Sequence, residues 1–68
     1  SDEDREAALR LTVDEYLAGL PAADREVVAL RMEGYSVAEI AARTGRALRT
    51  VERLLQRTRD QLADRLRP

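Results

Sequence analysis

The fold is decided by the stretch ARTGRALRTVERLLQRTR, Ala42 to Arg59. Thr44 is followed by Gly45, and three residues later an apolar series begins: Leu48, Val51, Leu54, Leu55, continued by Leu62 and Leu66. Such spacing predicts one helix ending at Thr44, a tight turn Gly45-Arg46-Ala47, and a long helix running to about Arg67. Two helices joined by a three-residue turn containing glycine form a helix-turn-helix. Ala41 is small where the helices cross, Gly45 takes the backbone conformation the tight turn requires, and Val51 fills the angle between them.

Upstream, Ser36-Val37-Ala38-Glu39 has the pattern of a capping box, so the shorter helix starts there and turns Val37, Ile40 and Ala41 inward. Gly34 closes the preceding helix, with Tyr35 as its hydrophobic contact. That helix is expected from about Pro21 to Glu33, with Val27, Val28, Leu30 and Met32 on its apolar face. Pro21 also ends a first helix, expected from about Asp4 to Gly19 and carrying Leu9, Val13, Tyr16, Leu17 and Leu20 at helical spacing. The expectation is one all-α domain over residues 1–68, four helices with a C-terminal helix-turn-helix and no winged element.

A chain of 68 residues is near the size at which a hydrophobic core alone suffices, and without Phe or Trp that core is aliphatic. Cysteine and histidine are both absent, which removes disulfides, thiolate or imidazole metal sites and the usual neutral-pH proton shuttle. No glycine-rich phosphate loop accompanies the acidic residues either. The reading is therefore not an enzyme, with no catalytic residue, no metal and no cofactor. Its apolar runs are far shorter than the ~20 residues that span a bilayer, so a cytoplasmic protein without membrane partners is expected. The chain opens on Ser1 rather than methionine, as a domain excised from a longer protein would.

The net charge of −1 averages two unlike halves. Residues 1–42 hold four arginines against ten acids, a net −6, whereas residues 43–68 hold eight arginines against three acids, a net +5. A one-sided basic face is the electrostatic footprint of a polyanion binder. With Val51, Leu55 and Leu62 turned inward, the outward stripe of the last helix carries Arg49, Arg53, Gln56 and Arg57. Arg bidentate to guanine and Gln bidentate to adenine are the side chains that read base edges in the major groove. Arg43, Arg46 and Thr50 surround the helix start, where phosphates are held. Glu52 either accepts from a cytosine amino group or pairs with Arg49, the pairing being favoured. This outward face separates a DNA reader from a plain helical hairpin.

The segment LPAADREVVALRMEGYSVAEIAARTGRALRTVERLLQRTRDQL, Leu20 to Leu62, resembles region four, the C-terminal domain of bacterial sigma factors, especially the extracytoplasmic-function group. The Leu-Pro opening, Arg-Glu-Val, Glu-Gly-Tyr-Ser, Glu-Ile-Ala and Thr-Val keep the family's order and spacing. The resemblance implies contact with the double-stranded minus-35 promoter element through the last helix, within RNA polymerase holoenzyme. Thr50 and Arg46 would be phosphate contacts, and Arg49, Arg53, Gln56 and Arg57 the groove-facing set. It also implies docking on the flap of the polymerase core's beta subunit, and often capture by an anti-sigma factor, through the earlier helices. Two positions depart from the pattern: Ala47 replaces the usual capping serine, and Arg46 occupies a commonly apolar turn position. Thr-Val-Glu-Arg is also similar to the DNA-binding domain of LuxR-type response regulators. A third alternative is a protein-interaction module, its basic helix bound to an acidic partner such as an anti-sigma factor would supply.

Overall fold

In the computed structural model, which describes residues 1–68, the order is α1 (Asp2–Ala18), α2 (Ala22–Met32), α3 (Val37–Thr44) and α4 (Leu48–Leu66), with no strand. Each boundary has a local cause. α1 starts two residues earlier than the apolar pattern predicts because Ser1 caps it, its side chain accepting from the Asp4 amide, with Asp2, Glu3 and Asp4 favourably placed in the first turn. Pro21 lies just outside α2, at the N-cap position with φ −53° and ψ 146°, rather than in its first turn.

α2 ends as the Gly34-Tyr35 pair predicts. Gly34 has φ 101°, its amide donates to Arg31 O at 3.0 Å, and the Tyr35 amide donates to Leu30 O at 3.2 Å. These two bonds are the Schellman arrangement, which satisfies carbonyls the helix leaves open. α3 opens on the complete capping box: the Glu39 amide donates to Ser36 Oγ at 3.1 Å and the Ser36 amide to Glu39 Oε1 at 2.9 Å. It closes on Gly45, whose φ of 71° is the left-handed conformation the turn requires.

The core is a knot of Val27, Val28, Ile40, Val51, Leu54 and Leu55, contributed by α2, α3 and α4. Val27, Ile40 and Val51 have no exposed surface at all. Leu17, Leu20, Leu30, Tyr35, Val37 and Ala41 pack around it. Thr58, buried on α4, returns its hydroxyl to Leu54 O at 2.9 Å and so brings no unpaired polar group inside.

α1 joins this knot only through its last turns. Arg25 of α2 donates from Nε to Leu17 O at 3.0 Å and from Nη2 to Leu20 O at 2.8 Å. α1 has no basic residue in its own last turn, so the guanidinium of the next helix covers its C-terminal carbonyls instead. Tyr16, the one buried residue of α1, donates its hydroxyl to Gln61 Oε1 on α4, and Arg65 lies over its ring at 5.1 Å.

Four apolar residues expected inside are exposed: Leu9, Met32, Leu48 and Leu66. Leu9 and Leu66 lie toward helix ends that project past the knot; every residue from Ser1 to Leu11 is exposed. Met32 and Leu48 are the last residue of α2 and the first of α4, where no other helix covers them. Periodicity identifies a helix face but not where along its axis the neighbouring helix stops.

With only 8 of 68 residues buried, each core side chain carries a large share of the stability. Ile40→Ala is expected to cost about 2–5 kcal/mol, read from the urea unfolding midpoint. A cost below ~1 kcal/mol would mean that Ile40 is not the pivot of the knot.

Candidate nucleic-acid interface

α3 and α4 present the helix-turn-helix with α4 as its outer member. The knot holds α4 through Val51, Leu54, Leu55 and Thr58, which turns Arg49, Thr50, Glu52, Arg53, Gln56 and Arg57 to solvent. Arg49, Glu52, Arg53 and Gln56, with Arg59, Leu48 and Leu55 of α4 and Val37 of α3, line one shallow groove. The 19 residues of α4 span about 28 Å at 1.5 Å each, and a bare helix of that kind fits the ~12 Å width of a DNA major groove.

Intramolecular contacts divide the arginines of this half. Arg43 sits over the Tyr35 ring at 4.1 Å. Arg46 Nη1 is 2.9 Å from Asp24 Oδ1. Arg59 donates to Gln56 Oε1 at 3.3 Å, while Gln56 Nε2 donates to Asp60 Oδ1 at 3.0 Å. Arg67 pairs with Asp64 at 3.0 Å. Arg49, Arg53 and Arg57 have no ion pair or hydrogen bond from their side chains, and they lie together on the exposed face of α4. Thr50 likewise has a free hydroxyl.

Two side chains differ from what the sequence predicts, and a third stands on the predicted face but is already engaged. Arg46 is turned to Asp24 of α2 instead of standing free beside the start of α4; α2 is distant in sequence, so spacing gives no sign of the pair. Glu52 forms no pair with Arg49. An exposed ion pair gains little in water, and nothing buries this one. Gln56 is already engaged by its neighbours Arg59 and Asp60, so it must exchange those bonds to meet a base.

α4 begins without a side-chain cap. Ala47 occupies the N-cap with φ −64° and ψ 144°, and the first turn holds no acidic residue. At the start of α3 the opposite holds. The Glu39 carboxyl is kept below its ordinary value of 4.5 by the Ser36 amide, then by the Ser36 hydroxyl; desolvation opposes them, and the Arg43 charge lowers it least. No helix is long and apolar enough to cross a membrane, and no group of three or more acidic, His or Cys side chains is placed to hold a metal ion.

A four-helix, strandless chain whose last two helices form a helix-turn-helix, with unpaired arginines along the outer one, defines a DNA-binding domain of the helix-turn-helix class. The chain belongs to the Sigma-70, region 4 family, whose family model matches residues 10–62. That match spans the second half of α1, all of α2 and α3, and most of α4. No curated protein and no solved structure matches the chain. Region 4 is the sigma-factor domain that, in sigma factors generally, binds the minus-35 promoter element in transcription.

Two consequences are measurable in the absence of DNA. Ala47→Ser supplies the missing cap and is expected to stabilise the fold by about 1 kcal/mol, a rise of roughly 4–8 °C in melting temperature for a domain of this size. Glu39 contributes stability that is present above its unfolded-state value near 4.5 and is lost as pH falls through its lower folded-state value. Glu39→Gln, which keeps the acceptor but not the charge, should flatten the acid limb of a pH-stability curve below about 4.5.

Proposed function

We propose that this chain is the region-four domain of a sigma factor of the extracytoplasmic-function group and reads the minus-35 element by laying α4 in the major groove. The observation that carries this reading is the set Arg49, Arg53 and Arg57: three unpaired guanidinium groups on one exposed helical face, in a structure that finds partners for most of its other arginines. Like charges at i and i+4 cost a helix a few tenths of a kcal/mol, and phosphates or guanine edges relieve that cost. Arg49 and Arg53 face base edges, joined by Gln56 and Arg57 further along; Glu52, unpaired, is free to accept from a cytosine amino group. Thr50 and Arg43 lie at the phosphate-facing margin.

The polymerase side falls to the earlier helices. Val13, Leu17, Val28, Met32, Leu55 and Leu62 line an apolar groove of about 250 Å³ between α1, α2 and α4, with Arg31 and Arg59 at its rim. This groove shares only Leu55 and Arg59 with the groove of the arginine face, and it suits an apolar segment of the beta-subunit flap. An anti-sigma factor covering the same groove would compete with polymerase.

Titration with duplex DNA over a salt series tests the DNA reading. Neutralising about five phosphates predicts a slope near −4.5 in log affinity against log salt. A flat response would instead favour a protein partner for the basic helix. Arg53→Ala is expected to lower affinity for the selected promoter duplex by about 1–3 kcal/mol and to relax base choice at one position. Equal losses on selected and random duplexes would reassign Arg53 to the phosphate backbone.

A further inference from the structure

The Arg46–Asp24 pair is unlike every other ion pair in the molecule. The remaining three join residues three or four apart in sequence, within one helix or between a helix and its cap, and are widely exposed. Arg46 and Asp24 come from the turn of the helix-turn-helix and from the first turn of α2, their side chains are 27% and 20% exposed, and their charged atoms are 2.9 Å apart. Partial shielding makes such a pair less sensitive to salt than a surface pair. Asp24 is also held by its own helix, since a carboxylate in the first turn meets the positive end of the α2 dipole, and no side chain caps that end.

We propose that Asp24 is a positioning and specificity-determining residue for promoter binding: its carboxylate takes at Arg46 the place a DNA phosphate would otherwise occupy. The inference rests on the promoter-binding reading above and adds a residue from outside the DNA face to it. Arg46 directly precedes Ala47, the uncapped N-cap of α4, so tethering it to α2 places the start of the reading helix where no cap does so. The same contact removes one positive charge from the backbone-binding set. Non-specific affinity comes almost wholly from such charges, whereas specific affinity also draws on base contacts. Withholding a charge at the turn therefore weakens binding to arbitrary DNA more than binding to the correct site.

The test compares the unaltered chain with Asp24→Asn, Arg46→Gln and the double substitution. Binding is measured to a duplex selected from a random pool and to a random-sequence duplex, between 50 and 200 mM salt and well below each variant's melting temperature. Asp24→Asn frees Arg46 for a phosphate. Its salt slope should steepen by about 0.9, so that affinity falls about 3.5-fold more over that range, and its preference for the selected duplex should drop. Arg46→Gln should leave the slope unchanged, and the double substitution should return it to that of the unaltered chain. A role confined to stability would move the melting temperature and leave the slopes alone. An unaltered slope in Asp24→Asn, or a slope flattened by about 0.9 in Arg46→Gln, would overturn the proposal. If the unaltered chain bound no duplex in a salt-dependent way, the promoter reading itself would fall, before any substitution was compared.

Discussion

The contact between Ile40 and Val51 across the Gly45 turn, closed from beneath by Val27, is the constraint on which the rest depends. These three side chains are the only large ones with no exposed surface, and one comes from each of α2, α3 and α4. A β-branched side chain has few rotamers to lose and little room to adapt, so three of them packed together set the crossing angles narrowly. The left-handed Gly45 delivers the chain into that angle without strain. Once Val51 is inside, helical geometry leaves no choice about what faces out: Arg49, Arg53 and Arg57 do.

Electrostatics then sorts a surplus of arginine into structural and available sets. Arg25 closes the carboxyl end of α1, Arg31 donates to Tyr35 O at 2.9 Å, Arg43 stacks on Tyr35, and Arg46 meets Asp24. Planar guanidinium groups suit all four tasks, since each needs a fork of donors or a flat cation. The acidic excess of the first 42 residues is spread differently: only Asp24 reaches across to the basic half as an ion pair. The basic face of α4 is therefore not neutralised from within.

Much of this was legible in the sequence, because the informative signals are local. The four helices, the capping box at Ser36, the left-handed position at Gly34, the tight turn at Gly45, and the outward placement of the α4 arginines all follow from spacing within a few turns. What escaped depends on distance in sequence. Asp24 and Arg46 are 22 residues apart, Tyr16 and Gln61 are 45 apart, and neither pair leaves a periodic trace. Leu9, Met32, Leu48 and Leu66 obey the helical period yet remain exposed, since the period says nothing about where a neighbouring helix ends. The free state of Glu52 was missed for another reason: adjacency along a helix permits a pair with Arg49 but does not make it worthwhile in water.

The two tyrosines lie at separated places, and the chain has no tryptophan. Each ring is under a guanidinium, Tyr35 under Arg43 beside the helix-turn-helix and Tyr16 under Arg65 where α1 meets the far end of α4. The molecule thus carries a natural pair of optical reporters. Replacing either tyrosine by phenylalanine leaves ultraviolet emission that comes from one end alone, so events at the helix-turn-helix and at the α1–α4 junction can be followed separately without attaching a dye.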